Sequence, residues 1–310
     1  MPDWPPPPRA SAAFYKAHGL GNDYLVFEEG DAWLASPSSV RRVCDRHAGV
    51  GSDGVVVVLA DRSGEVFRLR MFNPDGSEFE RSGNGLRIFA SYIARLARAG
   101  ARAGSPPYTV EVGGSHVTLN VHGESGPVHD VSADMGRART GPDAVGLDSA
   151  ALDAEGCMVG PRGERLRVVP VSVGNPHLVV LVDDPSEEAL AEIGPFLATH
   201  PALAAGANVQ LAAPGGAGGP ECRALIWERG VGRTSASGTS SCAVAVAAVT
   251  SGITAPGRVT VGMPGGELTV DVSPDLDVVL RGPVEEVCTG ALTEAWLARE
   301  AASHRPPGRA

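Results

Sequence analysis

Short apolar runs alternate along the chain with clusters of Gly, Pro and Asp, a pattern that predicts many short strands and few helices. The runs rich in β-branched residues predict strands at Asp23–Glu28, Val55–Leu59, Phe67–Phe72, Tyr108–Val112, Val117–Val121, Arg167–Val173, Leu178–Val182, Asn208–Leu211, Arg223–Trp227, Arg258–Val261, Glu267–Val272 and Val278–Arg281. Helical periodicity predicts helices at Val40–Cys44, Gly85–Arg98, Glu187–Phe196 and Ser240–Val249. Because the strands follow one another as hairpins and do not alternate regularly with helices, the pattern indicates an α+β fold.

The two ends of the chain lack this pattern. We expect the Pro-rich residues 1–11 to form a disordered tail and residues 304–310 to form a second one. The longest apolar runs, Val55–Ala60 and Ala243–Val249, are too short to cross a bilayer. The N-terminus has no basic region followed by an apolar stretch, so we expect neither a signal peptide nor a membrane partner.

Composition narrows the class of protein further. The 310 residues leave room for two domains, and the net charge of −10 disfavours nucleic acids and anionic membranes as partners. The five cysteines are an odd number and form no Cys-x-x-Cys pair, so we expect neither a disulfide framework nor a zinc site. These features together indicate a cytoplasmic protein.

One internal repeat relates the two halves of the sequence. In the first copy, the strand Phe67–Phe72 is followed by a loop and then by Ser82-Gly-Asn-Gly and an apolar helix. In the second copy, Arg223–Glu228 is followed by a loop and then by Ser237-Gly-Thr and another apolar helix. A duplicated half explains this spacing, with the two copies expected to face each other.

The start of each repeated helix has the chemistry of an anion site. Ser82 and Ser237 are suited to cap the helices, and the first backbone N–H groups of a helix have no partner within it. Because the helix dipole is positive there, these N–H groups suit a carboxylate or a phosphate. Plain capping explains either copy alone, but two matching copies in Gly-rich settings favour a functional site.

Several motifs resemble those of the diaminopimelate epimerase family and occur in that family's order over roughly residues 14–290. Besides the two serine loops, they are Lys16-Ala-His-Gly-Leu-Gly-Asn-Asp-Tyr, Gly49-Val-Gly-Ser-Asp-Gly, Phe72-Asn-Pro-Asp-Gly-Ser-Glu, Gly174-Asn-Pro-His and Glu228-Arg-Gly-Val-Gly-Arg-Thr. Seven motifs in order are far more specific than any one of them.

The resemblance implies two similar halves, each a mostly antiparallel sheet wrapped around a central helix, with the active site between them. Residues 12–133 with 284–303 would form the N-terminal half, and residues 134–283 the C-terminal half. The resemblance also implies an isomerase of lysine and cell-wall biosynthesis that inverts the α-carbon of diaminopimelate from LL to meso. Such an enzyme needs no cofactor, neither a metal nor pyridoxal phosphate, because two cysteines exchange the α-proton from opposite faces.

Both positions that hold the catalytic cysteines in the family are serine here, at Ser82 and Ser237. A serine hydroxyl is a poor base without an adjacent activator, so the change should strongly reduce two-base inversion. Three explanations stay open: a natural branch with altered chemistry, deliberate substitutions that trap substrate, or a member that binds without turnover. Cys242 lies within the second helix and is interpreted as a small core residue.

The remaining motif residues match the family's substrate pocket. By resemblance, the carboxylate would lie on the helix starts formed by Gly83, Asn84, Gly238 and Thr239. Polar contacts would come from Asn22, Asn73, Asn175 and Asn208. Arg229 would bind the distal amino-acid end together with Glu228, and Glu228 and His177 are predicted to lie near the acid/base positions, where either is suited to activate a serine.

Each of these residues also has a plainer interpretation. Asn73 and Asn208 suit turns, His177 can satisfy backbone groups, and Glu228–Arg229 can be a surface pair. Two other functions remain open as well. One is a lyase or other isomerase that uses Ser82 or Ser237, and the other is a protein that binds an amino acid without reacting with it. A homodimer is expected only because it is the commonest soluble oligomer.

Overall fold

The computed structural model describes residues 5–59, 66–100, 106–216 and 218–303. The chain divides into two compact units, with the boundaries after Val131 and after Pro283. Unit 1 consists of the residues up to Val131 and those from Val284 onward, and unit 2 is the continuous segment Ser132–Pro283. The predicted tail at 304–310 lies outside the described residues.

Unit 1 contains the first nine strands, the first two helices and the C-terminal helix. Its elements are β1 (Arg9–Gly19), β2 (Asn22–Glu29), β3 (Trp33–Leu34), α1 (Pro37–Cys44), β4 (Gly54–Leu59), β5 (Val66–Phe72), β6 (Glu78–Phe79), α2 (Gly83–Arg98), β7 (Tyr108–Val112), β8 (Ser115–Ser125), the start of β9 (Val128–Arg137), the end of β19 (Asp277–Ala291) and α6 (Glu294–Ser303).

Unit 2 begins within β9 and ends within β19. Its own elements are β10 (Arg139–Thr140), α3 (Pro142–Val145), a 3-10 turn (Ser149–Ala151), β11 (Cys157–Val159), β12 (Arg165–Ser172), β13 (Pro176–Leu181), α4 (Glu187–Ala198), β14 (Asn208–Pro214), β15 (Cys222–Glu228), β16 (Gly232–Thr234), α5 (Gly238–Thr250), β17 (Gly257–Met263) and β18 (Gly266–Val272).

The predicted tail over residues 1–11 is wrong at its C-terminal end. β1 begins at Arg9, and Ala10 is fully buried and pairs with Glu29 of β2. The Arg70 side chain donates hydrogen bonds to the carbonyl oxygens of Pro5 and Pro6. Pro5 and Pro6 are therefore bonded to the unit, and the strand begins directly after the run of prolines at residues 5–8.

The strand pairing repeats from one unit to the other. In unit 1, β1–β2 is antiparallel, β2–β4 parallel, β4–β5 antiparallel, β5–β7 parallel and β7–β8 antiparallel. In unit 2, β12, β13, β14, β15, β17 and β18 pair in the same alternation. The structure thus confirms the α+β class and the internal repeat, and it shows that the sheets are mixed, with antiparallel pairs in the majority.

A central helix packs against the sheet of each unit. α2 contacts β1, β2, β4 and β8, and α5 contacts β12, β13, β14, β15, β17 and β18. Nearly every residue of α5 is buried, from Gly238 to Ala248, because its Ala, Ser, Cys and Val side chains are small enough to let strands approach on all sides. Each central helix begins at one of the two repeated serines, so the core of each unit positions the start of its helix.

Candidate active site

Ser82 caps α2 in unit 1. Its Oγ accepts a hydrogen bond from Gly85 N at 3.1 Å, and its own N–H donates to Met71 Sδ at 3.3 Å. The extended backbone of Ser82 (φ −124°, ψ 122°) is the usual conformation for an N-cap. The Ser82 hydroxyl is therefore an acceptor within the helix start, close to the N–H groups of Gly83 and Asn84 that α2 leaves without helical partners.

Asn22 and Asn84 lie together beside this helix start. The buried Asn84 donates through Nδ2 to the Asn22 carbonyl oxygen at 2.7 Å and to Asn22 Oδ1 at 2.8 Å. A Cβ added at Gly19 would lie 2.1 Å from Asn84 Oδ1, so glycine at that position makes room for the Asn84 amide. Two of the predicted site residues are thus brought into direct contact with each other.

Asn73 lies in a turn. Its Nδ2 donates to Ser77 Oγ at 2.9 Å, and its backbone N–H donates to the Ser77 carbonyl oxygen at 2.8 Å. Asp75 caps the same turn by accepting from the backbone and hydroxyl of Ser77, which lowers the pKa of its carboxyl group. The side chain of Asn73 thus serves the local turn here, and its predicted contact with substrate stays a prediction.

Ser237 holds the equivalent position in unit 2 but bonds differently. It precedes α5 in an extended conformation (φ −151°, ψ 129°) and makes no side-chain capping bond to the helix. Its Oγ donates to Glu228 Oε2 at 3.4 Å. Glu228 ends β15, and the hairpin to β16 turns the chain back so that Glu228 reaches the start of α5. One repeated serine is therefore a cap, and the other is paired with a carboxylate.

His177 lies on β13 and is fully buried. Its Nε2 bonds Asn175 Oδ1 at 2.9 Å, and its Nδ1 bonds Gln210 Nε2 at 3.1 Å. Since the Gln210 amide nitrogen can only donate, Nδ1 is the acceptor and Nε2 carries the proton. Burial lowers the pKa of His177 to about 3, so the ring is neutral.

Among the described contacts, the ring of His177 bonds Asn175 and Gln210 and not Ser237. The interpretation of His177 as an activator of a serine therefore gains no support from the contacts within unit 2. Gln210 also donates to Ser240 Oγ at 3.0 Å, which links His177 to the first turn of α5. This bridging residue escaped the sequence analysis, although a Gln within the apolar run Asn208–Leu211 was the available signal.

Asn208 and Arg229 lie in the same part of unit 2 as His177. Asn208 pairs with His177 in the parallel β13–β14 register, and its Oδ1 accepts from Arg229 N at 3.0 Å. The Arg229 guanidinium donates to the carbonyl oxygen of Ala205. Gly238 and Thr239 are buried in the first turn of α5. Among the predicted site residues of unit 2, His177 thus lies beside Asn175 and Asn208, and Arg229 and Glu228 link this group to Ser237.

Three of the five cysteines are buried and unsuited to replace the missing thiols. Cys242 is buried within α5, and burial raises the pKa of Cys44 to about 12 and that of Cys222 to about 11. Thiols this hard to ionise are poor nucleophiles and poor bases. The described residues contain no group of three or more His, Cys, Asp or Glu side chains that could hold a metal ion. No helix within the described ranges is long and apolar enough to span a membrane.

Solved structures with this fold include several isomerases. A hydroxyproline epimerase from Agrobacterium vitis matches 93% of this chain and 98% of its own, with a TM-score of 0.62 at 16% identity. A phenazine biosynthesis protein of the PhzF family from Bacillus anthracis matches 91% of this chain and 99% of its own, with a TM-score of 0.61 at 14% identity. The chain thus has the fold of a class of solved proteins that includes epimerases and PhzF-family proteins.

Sequence comparison identifies the family within that class. The diaminopimelate epimerase model matches residues 14–141 and 169–287. A diaminopimelate epimerase of Desulforudis audaxviator is 38% identical over 91% of this chain and 99% of its own length. One of Pelotomaculum thermopropionicum is 36% identical over 89% and 97%. The chain belongs to the diaminopimelate epimerase family, and the curated relatives favour neither the lyase nor the non-enzymatic alternative.

Proposed function

We propose that this chain binds diaminopimelate and exchanges the α-proton slowly, with Ser82 and Ser237 in place of the usual thiols. The binding groups form two half-sites, the predicted residues around Ser82 in unit 1 and those around Ser237 in unit 2. The proposal rests chiefly on one observation, the placement of both serines at the starts of the buried central helices. Helix N–H groups at Gly83, Asn84, Gly238 and Thr239 would hold the α-carboxylate and stabilise charge that develops as the α-proton leaves.

The two serines are not equivalent bases. Ser237 Oγ donates to Glu228, so a proton arriving at Ser237 can pass on to the carboxylate. Ser82 Oγ accepts a hydrogen bond from a backbone N–H of α2, so its lone pairs are less available to take a proton from the substrate. We therefore assign proton removal to the Ser237–Glu228 pair and expect Ser82 to be the weaker partner. Inversion requires both, whereas exchange from one face requires only Ser237.

Asn22, Asn73, Asn175, Asn208 and Arg229 complete the proposed substrate contacts. Arg229 and the neighbouring Glu228 suit the distal amino-acid group, because a guanidinium pairs with a carboxylate and a carboxylate with an ammonium. His177 holds Asn175 in place through its Nε2–H and takes a positioning role in this proposal. We further propose that the protein works in the cytoplasm, without a cofactor and with no nucleic-acid partner, and that it forms a homodimer.

Proton NMR of single diaminopimelate stereoisomers in D₂O tests this function. We expect Ser82→Cys/Ser237→Cys to exchange the α-proton and to invert the α-carbon. The serine form should react about 10²–10⁴-fold more slowly for each missing general base. Ser237→Cys alone should gain exchange without inversion, and Ser82→Cys alone should gain less. Cys242→Ser, which alters a buried cysteine of the same helix, serves as the matched control.

Two results would contradict the proposal. Inactivity of the cysteine pair, together with no diaminopimelate binding in calorimetry, would overturn the substrate assignment. Equal gains from the two single substitutions would overturn the assigned difference between the half-sites. Glu228→Gln in the serine form should abolish any residual exchange, since it removes the proton acceptor beside Ser237.

A further inference from the structure

A chain of polar contacts leads away from the start of α2 in unit 1. Asn84 Nδ2 donates to Asn22, while Asn84 Oδ1 accepts from Arg87 Nη2 at 3.1 Å. The amide of Asn84 is thus held at both ends, with its nitrogen facing Asn22. An amide fixed in this way cannot turn over without breaking both contacts.

Asn22 passes the orientation on to a carboxylate. Its Oδ1 accepts from Asn84 Nδ2 at 2.8 Å, and its Nδ2 donates to Asp53 Oδ2 at 3.2 Å. A carboxylate can only accept, so Asp53 admits the Asn22 amide in one orientation only. Asp53 Oδ2 also accepts from the backbone N–H of Asp23 at 3.2 Å, which fixes the carboxylate against β2.

Two cations hold the acidic end of the chain in place. Arg46 Nη2 lies 2.6 Å from Asp53 Oδ1 and 2.6 Å from Asp23 Oδ1, and so joins the two carboxylates. Lys16 Nζ lies 2.8 Å from Asp23 Oδ2 and donates to the Gly51 carbonyl oxygen at 2.7 Å. The network therefore holds two acids and two bases, and its charges balance.

The ionisation of this network follows from its surroundings. Burial raises the pKa of Asp53. Asp23 is also buried, but its hydrogen bonds to Arg46 and Lys16 outweigh burial and lower the pKa of its carboxyl group. Each carboxyl group faces at least one cation, and hydrogen bonds between ionised partners are the stronger, charge-assisted kind.

We propose that Asp53, held by Arg46, is a positioning residue that sets the orientation of the Asn22 amide and, through it, of Asn84 at the start of α2. This inference rests on the proposed function, because it assigns Asn22 and Asn84 to the binding of diaminopimelate. Asp53 lies in the Gly49-Val-Gly-Ser-Asp-Gly motif, Arg46 just before it, and Lys16 and Asp23 in the first motif. The proposal thus gives these charged residues a role that does not require them to contact the substrate.

The test uses Asp53→Asn in the full-length serine protein. An amide at position 53 cannot accept from both Asn22 and Arg46 as the carboxylate does, so one of the two contacts is lost. Glu286→Gln is the matched control. Glu286 forms a half-buried ion pair with Arg95 near the other end of α2, with 3.0 Å between Glu286 Oε1 and Arg95 Nε. Arg46→Lys is the second variant, which keeps the charge but reaches less far than the guanidinium nitrogen Nη2, which contacts both carboxylates.

Two readouts separate positioning from stability. The first is the side-chain amide resonance of Asn22 in the ligand-free protein, which is assigned by its absence in Asn22→Asp. The rate of hydrogen exchange of this amide reports its bond to Asp53. The second is the Kd for meso-diaminopimelate by calorimetry. We expect Asp53→Asn to lose the protected Asn22 resonance and to raise Kd about 10- to 100-fold, with smaller changes of the same sign in Arg46→Lys. Glu286→Gln should change neither.

The outcomes are distinguishable. An unchanged Asn22 resonance in folded Asp53→Asn overturns the inference, as does a lost resonance with an unchanged Kd. If the parent protein binds no diaminopimelate, the proposed function fails, and the Asn22 resonance still decides whether Asp53 orients that amide. If Asp53→Asn does not fold, Arg46→Lys decides between the same results.

Discussion

At the scale of single residues, the two repeated serines differ although their motifs match. The sequence predicted where they lie, because Ser-Gly followed by an apolar helical pattern is a strong signal for a helix start. It predicted capping by both serines, whereas only Ser82 caps its helix and Ser237 bonds Glu228 instead. That difference depends on the β15–β16 hairpin, which returns the chain to the helix and which local patterns do not encode.

Long-range contacts explain the residues that the sequence analysis missed. In sequence, Asp53 is 31 residues from Asn22, and Gln210 is 33 residues from His177. Each is an ordinary polar residue by its neighbours alone. Only the strand register, which aligns β2 with β4 and β13 with β14, brings such side chains together.

Gly19→Ala should disrupt the Asn84 amide. A Cβ there would lie 2.1 Å from Asn84 Oδ1 and 3.0 Å from Arg87 Nη2, so the buried amide would have to move and break its bonds. We expect a loss of about 1–3 kcal/mol in the free energy of unfolding and weaker binding of diaminopimelate. Urea denaturation and calorimetry measure the two effects.

Gly123→Ala provides the comparison, since an added Cβ there meets nothing within 4 Å. It should leave both the free energy of unfolding and Kd close to those of the parent. Equal losses in both variants would mean that the effect comes from replacing a strand glycine and not from the Asn84 contact.

His177 should make stability depend on pH in the acidic range. Its pKa is lowered by burial, and further by the charge of Arg229, from 6.5 to about 3 in the folded protein. The unfolded chain therefore takes up a proton below pH 6.5 that the folded protein does not. This group's contribution is complete above pH 6.5 and falls by about 1.4 kcal/mol per pH unit as the pH drops toward 3.

Urea denaturation of the parent and of His177→Gln between pH 7.5 and 4.5 measures this slope. The parent should lose stability more steeply below pH 6.5, while the variant should lack this one-proton component. Parallel curves would show that His177 becomes protonated without unfolding.

At the scale of elements, helices were predicted better in position than in extent. The predicted helix Gly85–Arg98 begins at Gly83 in the structure, and the predicted Ser240–Val249 begins at Gly238. Glycine has low helix propensity, so the pattern understated these starts. Strand β1, strand β9 and helix α6 were not predicted, because their apolar residues alternate weakly with charged ones or follow a Pro-rich segment.

Gly194→Ala tests how α4 fits against β15. A Cβ on this helical glycine would lie 2.8 Å from Trp227 Cγ, and Trp227 is the neighbour of Glu228. Alanine favours an exposed helix by up to about 1 kcal/mol, but the clash should reverse the sign and cost about 1–3 kcal/mol. Chemical denaturation measures the net effect, with the exposed Glu188→Ala on the same helix as control. A stabilised Gly194→Ala would show that Trp227 moves aside freely.

At the scale of the whole molecule, the sequence predicted two similar halves, with the second inserted into the first. The structure places the first boundary after Val131, two residues before the predicted limit of 133. It places the second boundary after Pro283, which is the predicted limit. The repeat made this organisation visible, since matching motifs imply matching topology. The sequence did not show that β19 continues from one unit into the other, because the breaker residues Gly282 and Pro283 at that boundary favour the end of a strand.

Ending the chain after Pro283 should unfold unit 1 selectively. The truncation removes the part of β19 that pairs with β1 and the helix α6, whose Trp296 packs edge-on to Trp33 at 6.2 Å. Arg42 also loses its buried partner Glu300. Hydrogen exchange followed by mass spectrometry should show lost protection in β1, β2 and α1 but retained protection in α5. Uniform loss across both units would mean that neither folds without the other.

The strand β19 also sets an order on synthesis. β1 leaves the ribosome before unit 2, yet its partner residues Glu285–Ala291 are translated only after all of unit 2. Unit 2, being continuous, can fold as soon as it emerges, whereas this edge of β1 stays open until the end of β19 emerges. A nascent chain of this protein therefore completes its second half before its first, and a pause near residue 283 would prolong the interval in which β1 is exposed to chaperones or to aggregation.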